Sequence, residues 1–100
     1  MKEVVFCGVD EVAEIAYLSL RETELTLVAV YDDTVVGHDF FGMEILSLAD
    51  WARIGDRAVV LTSLKRGDNL RVALILLGVA ADKILIAGST GMHRNREEAA

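Results

Sequence analysis

The sequence predicts a three-layer α/β domain: a five-stranded parallel sheet of order 3-2-1-4-5 with helices on both faces. Three observations predict it. Short, continuous apolar runs such as Val4-Val5-Phe6-Cys7 and Ala58-Val59-Val60-Leu61-Thr62 read as strands covered on both sides. Stretches with a helical period of about 3.6 residues alternate with them. Glycines and aspartates punctuate the boundaries, and right-handed crossovers then leave few topologies.

The first strand, residues 4–7, ends at Gly8. Asp10 is placed to cap a helix whose first turns carry Glu11 and Glu14, anions at the positive end of the helix dipole. Val12, Ile15, Ala16, Ser19 and Leu20 form its expected inner stripe, widened by Ala13 and Tyr17, and the helix fades near Glu22. Residues 25–31 (Leu-Thr-Leu-Val-Ala-Val-Tyr) are the second strand, halted by Asp32-Asp33. After a loop with Gly37, a short third strand is expected within residues 40–46, around a turn at Gly42.

Ser47 caps a short helix over residues 48–54, with Asp50 completing a Ser-x-x-Asp box and Gly55 ending it. The fourth strand is residues 58–62. Arg66-Gly67-Asp68 turns into a third helix over residues 69–77, stopped by Gly78, and residues 83–87 are the fifth strand. The third helix is apolar nearly all round, with Arg71 its one charge, more than a single sheet face can cover. A homodimer through this helix follows as an expectation. Residues 1–88 read as one domain and residues 89–100 as a polar, disordered tail.

Composition narrows the function classes. The longest apolar run, residues 72–77, is far below the ~20 residues of a membrane span, so no membrane association is expected. Lys2 and Glu3 lead straight into a strand, and with one cysteine no internal disulfide forms, so the chain reads as cytoplasmic. Net charge is −6, split between an acidic first half and a mildly basic second half. An acidic domain without a basic stripe argues against direct nucleic-acid contact. The two-sign layout suits either self-association or plain solvated faces.

Such a half-Rossmann arrangement binds ligands beyond the carboxyl ends of its strands. The candidate ligand residues there are Gly8, Asp10, Glu11, Asp32, Asp33, Ser63 and Lys65. Gly8-Val9-Asp10-Glu11-Val12-Ala13 compares with the dinucleotide fingerprint G-x-G-x-x-G/A, but with Asp10 at its second glycine. That carboxylate can take the amides a diphosphate needs, and Glu11 adds a second negative charge, so no cofactor is expected. Asp32, at the end of the second strand, suits either a ribose hydroxyl or plain turn chemistry. Ser63, Lys65 and Arg66 suit an anion site or a solvated connection.

Cys7 reads as an inert core thiol. His38 and His93 have no ligand-type neighbours in sequence, so no metal is expected, and no catalytic set stands out. Trp51, Phe40 and Phe41 read as core or interface anchors.

Residues 6–16, Val28-Ala29-Val30-Tyr31-Asp32-Asp33 and Phe41-Gly42-Met43-Glu44-Ile45 together resemble the small CoA/NAD-binding-like Rossmann modules. These include the ligand domain of redox-sensing repressors and the N-terminal domain of sugar acyltransferases. The chain most resembles the module carried behind a winged-helix domain in some bacterial transcription regulators. The resemblance implies Gly8 at the tight turn, Ala13 at the helix-packing position and Asp32 as a ribose-type acid. It also implies an attached winged-helix domain as partner, unless the chain is a stand-alone relative.

Three readings follow. One is a non-catalytic regulatory module that senses a ligand, dimerises, or both. The alternative is a nucleotide-, NAD- or CoA-binding domain of a sugar- or redox-metabolism enzyme. A third is a structural assembly domain.

Overall fold

In the computed structural model, which describes residues 2–88 and 91–94, strands and helices alternate along most of the chain. The order is β1 (Lys2–Cys7), α1 (Glu11–Leu20), β2 (Leu25–Tyr31), β3 (Asp39–Phe40) and β4 (Met43–Glu44). A 3-10 helix (Leu48–Ile54), β5 (Ala58–Leu61), α2 (Gly67–Leu76), a 3-10 turn (Ala81–Lys83), β6 (Ile84–Gly88) and β7 (Gly91–Arg94) follow. The main sheet runs β2-β1-β5-β6-β7, and its first four strands are mutually parallel.

Alternation along β1, which lies between β2 and β5, divides the core into two. Val4 and Phe6 join a cluster with Ala13, Ala16 and Leu20 of α1. Val5 and Cys7 join another with Leu70 and Leu74 of α2 and with Leu48 and Ile54. Successive side chains on a strand point to opposite faces, so β1 is covered on both sides. This is why it reads as one unbroken apolar run.

The face that α1 turns inward differs from the expected stripe. Ala13, Ala16 and Leu20 are buried and Tyr17 half-buried, whereas Ile15 is 60% exposed and Ser19 lies on the surface. Both sets have helical spacing. The two alanines let the helix backbone approach the sheet closely, and that contact decides the rotation.

The expected third strand is a second departure. Residues 40–46 do not extend the main sheet. Asp39–Phe40 and Met43–Glu44 pair antiparallel as a separate hairpin, turned by Phe41 (φ 49°) and Gly42 (φ 91°). Two consecutive positive φ values make the tight hairpin turn that matches strand twist, so the run folds back on itself. Only Leu46 reaches the edge of β2. Its N–H donates to Val30 O at 2.8 Å and its carbonyl accepts from Asp32 N at 2.9 Å, before Ser47 opens the 3-10 helix. Aromatic contacts pin the hairpin to α1: Tyr17 stacks on Phe41 at 4.2 Å and meets Phe40 edge-on at 5.8 Å. Phe40 is buried, while Phe41 remains half exposed.

A parallel strand beyond β2 is therefore replaced by a single bridge, and the order 3-2-1-4-5 does not describe the sheet. At its other edge, Gly91–Arg94 lies within the stretch expected as a tail and pairs antiparallel with β6. A chain turning back at the edge of β6 meets a ready row of backbone donors and acceptors. The rest of that expected tail, residues 89–90 and 95–100, lies outside the described residues.

α2 starts at Gly67, before the expected residue 69. Leu70 and Leu74 face the sheet, while Val72, Ile75 and Leu76 point outward. This asymmetry yields a contrast. Leu74→Ala empties a fully buried position and is expected to cost about 2–5 kcal/mol. Leu76→Ala, at a position 81% exposed, should stay within about 0.5 kcal/mol. Denaturant unfolding of the two variants below any association threshold checks the pair.

Candidate functional site

β1, β2 and β5 end side by side, and the connections leaving them form the crevice where the sequence placed its candidate residues. Gly8 leaves β1 at φ 102°, a conformation that glycine adopts without steric cost. A Cβ built there would lie 2.7 Å from the Ser63 Cβ and 2.9 Å from Leu70 Cδ1. The space opened by this glycine is taken by the chain's own β5–α2 connection. Thr62 locks the approach: its N–H donates to Cys7 O at 2.9 Å and its hydroxyl to Gly8 O at 2.5 Å.

Asp10 caps α1. One carboxylate oxygen accepts from Val12 N at 2.8 Å, and the other accepts from Ser63 Oγ at 2.9 Å and Leu64 N at 3.2 Å. The amide at the positive end of the helix and the connection after β5 therefore share one side chain.

Asp32 is fully buried. It accepts from Val9 N at 2.7 Å, from Thr34 N at 2.9 Å and from Thr34 Oγ1 at 2.7 Å. The Arg66 guanidinium closes on both carboxylate oxygens, at 3.0 and 2.5 Å. Two parallel bonds of this kind are the strongest pairing that a carboxylate makes with a side chain. Burial pulls the Asp32 carboxyl upward, but the bonds from Arg66, Thr34 and Val9 outweigh it and hold the group well below the usual carboxylate range. The same pairing raises Arg66 above its ordinary value. Five donors saturate the roughly four lone-pair positions of a carboxylate, so a ribose hydroxyl would find none free.

Asp33 points elsewhere. It accepts from Ser47 Oγ at 2.9 Å and Leu48 N at 2.8 Å, so it anchors the start of the 3-10 helix that Ser47 also caps. The structure thus joins Gly8, Asp10, Asp32 and Ser63 in one network, gives Asp33 to a second, and leaves Glu11 and Lys65 exposed. Sequence reasoning misses Thr34, and it leaves Arg66 open between an anion site and a solvated connection, without naming Asp32 as the anion it holds. The Asp-x-Thr spacing of residues 32–34 signals an Asx turn, which accounts for Thr34. The reach of Arg66 across 34 positions leaves no local signal.

Cys7 lies beneath the crevice, 1% exposed. Burial pushes its thiol up to about 12, with Asp32 and Asp33 adding to the rise and Arg66 opposing it. The thiolate is the nucleophilic form, so this cysteine is chemically quiet near neutral pH. Among the described residues, no group of three or more His, Cys, Asp or Glu could hold a metal, and no helix is long and apolar enough to cross a membrane.

The cavity beside the crevice, lined by Leu61, Ser63, Lys65, Gly67, Arg71 and Ala87, measures about 160 Å³. Ligand pockets usually hold about 300–1,000 Å³. A wider groove lies at the opposite end of the sheet, among the charged residues Lys2, Glu24 and Asp56, where Glu3 holds Arg57 at 2.8 Å. It is wide open to solvent and lined by both acids and bases. The residues present do not fit a dinucleotide: Val12 N is taken by Asp10, Val9 N and Arg66 by Asp32, and the glycine gap by Ser63.

No protein-family model matches the chain, and neither does any curated protein.

Two predictions come from this network. Gly8→Ala forces a side chain into contact with Ser63 and Leu70 at positive φ, and should cost about 2 kcal/mol or more in denaturant unfolding. Asp32→Asn breaks a buried pair and should cost about 3 kcal/mol at neutral pH. The pH dependence has a definite sign. Asp32 is depressed in the fold, so its contribution is complete above the unfolded value near about 3.9 and declines as pH falls below it. The stability gap between wild type and Asp32→Asn is therefore level from about pH 5 to 8 and narrows below about pH 4. Unfolding curves across that range measure it.

Proposed function

We propose that this chain is a non-catalytic regulatory module that acts by association, forming a homodimer through α2. One observation carries the reading. The outward side of α2 presents Val72, Ile75 and Leu76 at helical spacing, 53%, 38% and 81% exposed, so the helix keeps an apolar face after filling its place against the sheet. A face of this kind on a domain that already has a two-sided core is an association surface.

The closed crevice supports the same reading from the other side. Its backbone donors and Arg66 are committed to Asp10 and Asp32, and its cysteine is held protonated, so it offers neither a diphosphate cradle nor an activated nucleophile. The setting that fits is a cytoplasmic regulator, with the module joined to a winged-helix domain that makes the nucleic-acid contact in its place. That setting follows from the resemblance of the sequence, and the dimer follows from α2.

Sedimentation equilibrium tests the proposal. The wild type is expected as a dimer, and Val72→Asp/Leu76→Glu as a monomer with unchanged circular dichroism. A wild type that stays monomeric at high concentration contradicts it. Thermal-shift titration with NAD(H), NADP(H), CoA and nucleotide sugars is expected to leave Tm unchanged. A concentration-dependent rise with any of them favours a nucleotide-binding enzyme domain instead.

A further inference from the structure

The donors around Asp32 come from three separate connections: Val9 after β1, Thr34 after β2 and Arg66 before α2. What holds each in place bears on what the cradle can do. Thr62 ties the end of β5 to Gly8, next to Val9. Arg66 N donates to Ser63 Oγ at 3.2 Å, and Arg66 O, at the N-cap of α2, accepts from Leu70 N at 2.9 Å. Ser63 is held in turn by Asp10. The Val9 amide and the Arg66 backbone are therefore fixed by bonds that do not involve Asp32. The direction of the Val9 N–H and the point from which the Arg66 side chain sets out are thus given by the fold, while the guanidinium itself is bonded to the carboxylate that sits there.

We infer that this cradle is an oxyanion site in its own right, that Asp32 is its tethered occupant, and that a free small monocarboxylate takes its place once the tether is cut. The ligand class follows from the geometry. A guanidinium fork facing an amide N–H matches the two coplanar oxygens of a carboxylate, whereas a spherical halide can meet only part of it. The adjacent Asp10 carboxylate favours a monoanion over a dianion, because each further negative charge is repelled at short range. Formate and acetate are the matching probes. The inference concerns the crevice alone, and it stands or falls independently of the dimer.

The experiment is chemical rescue of Asp32→Gly, which deletes the β-carbon and leaves room for the carbon of formate. Melting is followed in sodium formate, acetate, chloride and sulfate at matched ionic strength. Formate is expected to raise Tm by about 5 °C at ten times its dissociation constant, acetate by less, and chloride and sulfate not measurably. The wild type, with its cradle filled, should not distinguish formate from chloride. The double variant Asp32→Gly/Arg66→Gln should lose the response. If Asp32→Gly is unfolded without ligand, formate-dependent recovery of its helical circular dichroism replaces Tm as the readout. Equal responses to formate and chloride, or none by either readout, overturn the inference. So does a response that survives the loss of Arg66.

Discussion

A carboxylate buried at the carboxyl end of β2 is the point at which three connections of the fold meet. Removing an ionised group from water is costly unless charge and hydrogen bonds replace its hydration. Asp32 meets that requirement only when Val9, Thr34 and Arg66 are all in place. Three connections that leave the sheet in different directions are drawn to one point. The commitment of Arg66 follows from this arrangement, and the nearby Asp32 charge adds to the rise that burial imposes on the Cys7 thiol.

Three aspartates share a common habit. Asp10, Asp32 and Asp33 each accept backbone N–H groups at the start of a helix or in the loop before one. In a nucleotide-binding turn at the start of a helix, such amides would face outward to a phosphate. Here the chain supplies the anions itself. The crevice at the carboxyl edge is filled by the chain's own side chains, and the outer side of α2 leaves Val72, Ile75 and Leu76 exposed.

Much of this architecture is legible in the sequence because it is local. Unbroken apolar runs such as residues 4–7 and 58–61 mark the covered strands, and Asp10 and Ser47 mark helix starts through contacts two residues away. The fingerprint comparison at residues 8–13 already shows a carboxylate where a diphosphate needs space. What resists reading is set by distant partners. The Asp32–Arg66 pair spans 34 positions, and a strand-end aspartate looks the same in sequence whether it faces solvent or a guanidinium. The rotation of α1 is decided by how closely Ala13 and Ala16 meet the sheet, and apolar spacing fits Ile15 equally well. The turn at Gly42 is legible, but the tight pairing of its two arms is not, because phenylalanine rarely takes a positive φ and Phe41-Gly42 lacks the usual Asn-Gly or Asp-Gly signature.

The Val9 and Val12 amides of the first turn are already bound by the chain's own carboxylates. Amide NMR of the labelled protein during titration with inorganic pyrophosphate, followed by NAD, tests it most directly. The Val9 and Val12 resonances should stay in place through millimolar ligand, moving no more than residues remote from the crevice. Saturable shifts centred on these two amides would show that the turn still accepts a diphosphate, and would contradict the account.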